Sequence, residues 1–277
     1  MPKLKIIGTV KRSFNLLKKD PTLIVLFILP AIFSLLSQSI IVYLLSSLMF
    51  SIMMWDVPGL PLMLPVLLFI LPFIVTFFFR VWASAAAILK VTELEKGGKL
   101  GLKEALSRGL KKVPKLLVPA IACSAIYIIM VAGLTIAITN YPFISMAPLA
   151  QDVEPSNIVL RVAMGFLFVI GLYVLIRLYL YSPACVLENN FGLKTSWKLA
   201  KGNWWRLFAI FLIFGAMSAI ISRAYIIGGF LSGLIVGPFT ITAKTLVYFQ
   251  LREAKSSGEE ELDVDEPKER PTEEGEV

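Results

Sequence analysis

Four cations lie inside stretches of this chain that are otherwise apolar: Arg80, Arg161, Arg177 and Lys244. A charge placed in hydrocarbon costs about 2.5 to 3.5 kcal/mol on insertion scales unless it is paired, hydrated or able to reach the surface. Two uses follow. Near the end of a stretch a long side chain snorkels to water, which is the ordinary outcome for Arg161 at the outer end of its stretch and for Arg80, Arg177 and Lys244, each within about three turns of an inner end. The sharper use sets Arg80 and Arg177 in a water-filled or headgroup-filled cavity on the cytoplasmic side, with Glu188 as their counter-ion. No acidic residue accompanies them at depth, which argues against a proton or sodium relay.

Other chemistries lack their parts. The chain has no histidine, so the commonest general base and metal ligand is missing, and its two cysteines, Cys123 and Cys185, cannot alone form a structural zinc site. Both read as small apolar packing residues. No phosphate-binding Gly-Lys loop, His-Glu-x-x-His helix or Gly-x-Ser-x-Gly elbow occurs. The expectation is a protein that is not an enzyme and needs no cofactor and no metal.

The elements that position these cations are membrane spans. Hydrophobic residues make up 57% of the chain and the mean hydropathy is +0.79, against roughly 45 to 50% apolar in soluble domains. Windows of roughly 20 apolar residues, the length that crosses a bilayer as a helix, recur near residues 22–50, 60–83, 115–139, 159–181, 206–222 and 226–250. The first is too long for a signal-peptide core and lacks a cleavage site, so it stays in the mature chain. Lys and Arg crowd the segment before the first span and the connections from two to three and four to five, while the alternate connections hold Asp56, Asp152, Glu154 and Arg223. That asymmetry puts both termini in the cytoplasm of a multi-pass cell-membrane protein. Scarce Cys, His, Asn and Gln fit a thermophile.

From Glu253 to Val277 the composition changes to eleven acidic and three basic residues with little to bury. Residues 253–277 are expected to form a disordered cytoplasmic tail, a solubilising segment or one that docks a membrane-protein partner or the chain's own basic face.

Three segments align without gaps: GTVKRSFNLLKKDPTLIV from Gly8, GLKEALSRGLKKVPKLLV from Gly101 and GLKTSWKLAKGNWWRLFA from Gly192. Each starts at a glycine, carries several cations and runs into a span. The membrane domain therefore reads as three repeats of an amphipathic interfacial helix, near 5–19, 101–113 and 192–204, followed by two spans. In the second copy Leu102, Ala105, Leu106, Gly109, Leu110 and Val113 share one helical face while Lys103, Arg108, Lys111 and Lys112 face away. Such a helix sinks its apolar stripe into the acyl boundary and sets its cations against anionic headgroups. In the third copy Lys194, Lys198 and Lys201 supply the charge and Trp197, Trp204 and Trp205 the headgroup-level indoles. The expected partners are anionic lipids, and no nucleic acid.

The stretch SPACVLENNFGLKTSWKLAKGNWWRL carries Pro183, Glu188, Ser196, Trp197 and Leu199 in a P-x4-E-x7-S-W-x-L pattern, and GPFTITAKTLVYFQLR carries Pro238, Thr245, Leu246, Tyr248, Leu251 and Arg252. The chain thereby resembles a group of polytopic membrane proteins that includes the membrane domain attached to some glycerophosphoryl diester phosphodiesterases, the YciC-like proteins and related archaeal families. The resemblance implies a membrane fold over residues 1–252. It implies no phosphodiesterase chemistry, which belongs to a separate soluble domain with catalytic histidines.

Gly229, Gly233 and Gly237 make two consecutive G-x-x-x-G steps, and Gly215, Ser218, Ala219 and Ser222 a small-residue stripe on the preceding span. Such stripes let helix backbones approach, so a close hairpin of spans five and six is expected. Pro30, Pro65, Pro72, Pro119 and Pro238 interrupt their spans. As a whole the sequence reads as an all-α, six-span protein, either a non-enzymatic factor that organises lipids or assists assembly of another membrane protein, or a transporter or lipid-translocating protein with a cytoplasm-facing cationic cavity.

Overall fold

Apolar segments of this length can satisfy their backbone groups in a bilayer only by closing hydrogen bonds within themselves. The computed structural model, which describes residues 6–54, 63–139, 155–188, 191–223 and 225–263, is all-helical over those residues. Six helical stretches are long and apolar enough to cross a membrane: Thr22–Ile40, Ile70–Glu95, Leu102–Thr135, Val162–Glu188, Trp204–Ser222 and Ile227–Lys255. In chain order the elements are α1 (Ile6–Lys19), α2 (Thr22–Val25), α3 (Ile28–Met54), α4 (Met63–Glu95), α5 (Leu102–Thr139), α6 (Pro155–Arg177), α7 (Tyr181–Glu188), α8 (Leu193–Ala200), α9 (Trp204–Ser222), α10 (Tyr225–Leu231), a π-turn (Ser232–Val236) and α11 (Gly237–Asp263).

Prolines place the breaks. Each lacks the N–H that would reach the carbonyl four residues earlier and crowds that carbonyl. Pro30 frees Leu26 at the α2–α3 joint, Pro183 frees Tyr179 at the α6–α7 joint, and Pro238 frees Leu234 inside the π-turn. Pro119 acts within an unbroken helix: it frees the carbonyl of Lys115, which accepts the buried Cys185 thiol, Sγ to O 3.2 Å. Cys185 thus packs as expected and also supplies a donor.

The second basic segment departs from expectation. Residues 101–113 do not form a separate interfacial helix but open the continuous helix α5. Its apolar stripe packs on protein instead of sinking into lipid: Ala105, Gly109 and Val113 are buried against α4, and a Cβ on Gly109 would lie 2.9 Å from the Ala86 backbone nitrogen. The physical reason is the run Ala85–Ala86–Ala87, all buried, which lets two backbones meet. The third segment is split. Helix α8 stops at Ala200, Gly202 turns the chain at φ +85°, and Trp204 starts span α9 rather than ending an interfacial helix.

The glycine stripe of span six faces a different neighbour from the one expected. A Cβ on Gly237 would meet Phe27 at 3.0 Å, one on Gly233 would meet Ala31 at 3.7 Å, and one on Gly229 would collide with the Gln38 side chain, all on the α2–α3 side. Glycines four apart drift round a helix of about 3.6 residues per turn, and the wider π-turn between them takes up that drift. On α9, Ala219 is exposed and a Cβ on Gly215 would have nothing within 4 Å. The close approach of α9 to the last span runs from the hairpin end, where Gly228 abuts the Ile221 and Ser222 carbonyls, to Ser218, whose hydroxyl lies 2.7 Å from that of Ser232.

Helix α4 is the hub, touching α3, α5, α7 and α11. Helix α1 lies along α11, burying Thr9, Ser13 and Leu17 and exposing Ile7, Phe14 and its cations. Helix α11 continues to Asp263, past the Glu253 boundary set by composition; residues 264–277 lie outside the described residues.

Candidate functional site

Two regions collect polar side chains inside the bundle. The first is a cavity of about 510 Å³ bounded by α3, α4, α9 and the α10–α11 span. It exists because α3 and α9 barely touch each other, while α10 and the π-turn contact both. Small residues, Gly215, Ser218, Ser232 and Gly233, line its walls where a packed seam was expected.

Arg80 of α4 and Lys244 of α11 both line this cavity. Arg80 Nη2 donates to Ser34 Oγ on α3 at 3.0 Å. The Lys244 ammonium sits over the Tyr179 ring, 4.3 Å from its centroid. Tyr179 comes from the α6–α7 joint, is 6% exposed, and its hydroxyl has no hydrogen-bond partner. A buried unpaired hydroxyl costs about 1 to 3 kcal/mol and calls for an explanation. Among the described residues no carboxylate lines the cavity. The cavity therefore offers guanidinium and ammonium donors to an accepting group such as a phosphate or carboxylate, while the Tyr179 hydroxyl is buried behind the wall that its ring helps to form. The rest of the wall is mixed, with Phe27, Phe211, Phe214 and Ile241 apolar and Gln38, Ser218, Ser232 and Thr240 polar.

The second region is a closed node built from the two motifs quoted above. At the α6–α7 break, Ser196 Oγ donates to the Arg177 carbonyl at 2.9 Å and accepts from the Leu180 N–H at 3.2 Å, filling groups the break leaves over. Glu188 accepts from Thr195 Oγ1 and from Tyr248 Oη, each at 2.6 Å, tying α7 to α8 and α11. Gly192, at φ +66°, turns the chain into α8 where a Cβ would lie 2.5 Å from the Cys185 backbone nitrogen. The motif residues thus join three segments of backbone.

Of the sequence-predicted cavity residues, the structure keeps Arg80 and removes two. Arg177 donates to Tyr173 Oη at 2.7 and 3.1 Å and to the Trp197 carbonyl at 3.3 Å, with both rings about its guanidinium. Glu188 is engaged at the node. Both sit toward the α8 side of the joint and neither lines the cavity, so Glu188 is no counter-ion for Arg80. The side chain of Arg161 lies outside the described residues. Lys244 was visible in sequence as an ionisable group in a span, whereas Tyr179 carried no signal.

The proposed headgroup contacts are where a lipid surface could reach most of them. Lys103, Arg108, Lys111, Lys194, Lys198 and Lys201 are exposed and Lys112 is half-buried; Arg108 pairs with Glu104 one turn away. Trp197 and Trp205 are exposed, and Trp204 is half-buried between them in a ring cluster with Tyr173 and Phe208. Among the described residues no group of three or more His, Cys, Asp or Glu is placed to hold a metal. No family model matches the chain, and neither a curated protein nor a solved structure is significantly similar to it.

Proposed function

We propose that this is a non-enzymatic lipid-handling protein of the cell membrane, both termini cytoplasmic, which takes an anionic amphiphile from the bilayer into the cavity lined by Arg80, Tyr179 and Lys244. The observation that carries the reading is that two cations, Arg80 and Lys244, line one cavity that no carboxylate among the described residues lines. A volume of about 510 Å³ falls within the roughly 300 to 1,000 Å³ of small-molecule sites. The basic faces of α1, α5 and α8 and the exposed indoles fit the same reading, since each cation near an anionic surface contributes about 1 kcal/mol. On this view the bundle is three copies of a basic helix and two spans, the second copy having fused its basic helix to the span, and it belongs with the polytopic group its two motifs resemble.

The test is native mass spectrometry of the purified protein in detergent, offered hexadecyl phosphate, hexadecyl trimethylammonium or inorganic phosphate. The anionic amphiphile should be retained and the cation should not. Arg80→Gln and Lys244→Gln should each lower retention about tenfold, the loss of one charge-assisted contact of about 1.5 kcal/mol. Equal retention of the anionic and cationic amphiphiles, or no effect of the two substitutions together, would remove the reading. Retention of inorganic phosphate as strong as that of hexadecyl phosphate would reassign the site to a free anion.

A further inference from the structure

Arg80 and Ser84 line not one cavity but two. On the other side of their ridge, between α4, α5 and Tyr181, lies a second space of about 420 Å³. Its wall is mainly Phe73, Phe77, Leu116, Ala120 and Ile128, and Arg80 is the one charge it shares with the first. The hydroxyl of Thr76, which also lines it, is engaged with α3 through Ser37 Oγ at 2.7 Å and the Phe33 carbonyl at 3.2 Å. Ser84 Oγ donates to the Arg80 carbonyl at 2.7 Å. Ser124, Tyr127 and Tyr181 add hydroxyl-bearing side chains at the α5 side, and the remaining wall is apolar surface to pack against. Protein interiors are ordinarily close-packed, and an apolar void of molecular size takes up hydrocarbon in preference to water.

Resting on the proposal that the first cavity holds an anionic head, we infer that the ligand is a chain-bearing amphiphile whose hydrocarbon tail passes the Arg80–Ser84 ridge and lies in the second cavity. The two spaces divide the ligand as its chemistry is divided. Lys244 stands only on the first side, the Phe73–Phe77 wall only on the second, and Arg80 is common to both. Ligand selectivity then has two independent determinants: charge at Arg80 and Lys244, and chain volume against Ala120 and Ser124.

The experiment is photo-crosslinking of the full chain in detergent with an alkyl phosphate carrying a diazirine at the end of a hexadecyl chain, followed by mapping of the adducts. Adducts are expected on Leu116, Ala120 or Tyr127. Excess hexadecyl phosphate should suppress them at least tenfold, and Arg80→Gln should lower them about tenfold. Ser124→Phe, at a half-buried position lining the second space, should abolish these adducts while leaving retention of octyl phosphate unchanged. Adducts confined to Phe211 and Phe214 would place the tail in the first cavity and overturn this inference while leaving the proposed function standing. Adducts confined to the lipid-facing Val118 and Ile121 of the same helix and indifferent to competitor would overturn both. Should the Ser124 variant fail to fold, the wild-type adduct map decides alone.

Discussion

Lys90 and Arg80 stand ten residues apart on the same helix, and the chain answers their charges in opposite ways. The Lys90 ammonium, 3% exposed, lies 3.2 Å from Asp20 Oδ2 and also donates to the Thr22 hydroxyl. Among the described residues Arg80 reaches only the neutral Ser34 hydroxyl, and no carboxylate lines its cavity. A buried charge with a matched partner fixes two segments to each other, here the start of the first span to the C-terminal end of α4. A charge without one leaves its electrostatic demand to be met by something that arrives. The same contrast separates the closed Glu188–Tyr248 node from the free Tyr179 hydroxyl. The node and the Lys90–Asp20 pair tie segments of the bundle together, whereas Arg80 faces a cavity.

The contrast is broken most sharply by removing the partner of Lys90. Asp20→Asn leaves a buried ammonium uncompensated, and breaking such pairs costs about 3 kcal/mol. Unfolding in mixed detergent micelles at pH 7 should show that loss, whereas a variant within about 0.5 kcal/mol of wild type would make the pair ornamental. The pair also gives the fold an acid limit. Burial alone raises the Asp20 carboxyl, but hydrogen bonds from Thr22 and Lys90 and the ammonium charge together hold it below its ordinary value. Its contribution is therefore fully present above the unfolded value near 3.8 and is lost as pH falls through the lower folded value. Wild type and Asp20→Asn should converge in stability as pH falls below 3.8 and through the lowered folded value; curves that stay parallel would place the effect elsewhere.

Next in size is the node. Tyr248→Phe removes one hydrogen bond to a carboxylate and keeps the ring, which should cost about 2 kcal/mol. Stability is the quantity expected to move, and retention of hexadecyl phosphate by the folded fraction is not. A variant that keeps its midpoint and loses ligand would exchange the roles assigned to the two regions.

The sequence displayed unequal parts of this. The six spans were legible because hydropathy is a property of some twenty residues at once and survives local irregularity. The breaks were partly legible, since Pro30 and Pro238 act on the carbonyl four residues earlier, yet Pro114 and Pro119 pass through α5 without dividing it. Which neighbour a helix face meets was not legible. The stripe Ala105–Gly109–Val113 has the pattern of a lipid-facing surface and in fact meets the alanines of α4. Arg80, Arg177 and Lys244 look alike in depth along their spans, and only their bearing around the helix axis separates the cavity from the Trp197 ring cluster. Tyr179 is recognisable only once the bundle shows that its hydroxyl has been left alone.

The smallest expected effect tests the point at which packing and cavity diverge. Gly109 and Gly215 are both helical glycines on spans that touch neighbours, and a close-seam reading treats them alike. At Gly109 an added methyl would meet the α4 backbone at 2.9 to 3.0 Å, so Gly109→Ala must push two helices apart. At Gly215 it would meet nothing within 4 Å and would project into the first cavity. Alanine favours a helix over glycine by about 0.5 to 1 kcal/mol, so Gly215→Ala should leave stability unchanged or raise it by up to that amount. The same methyl takes space from the ligand, so retention of hexadecyl phosphate should fall modestly while the unfolding midpoint holds or rises. A loss of stability above about 1 kcal/mol at Gly215 would instead restore the packed seam, with the small residues of α9 closed on span six and no room left beside Arg80.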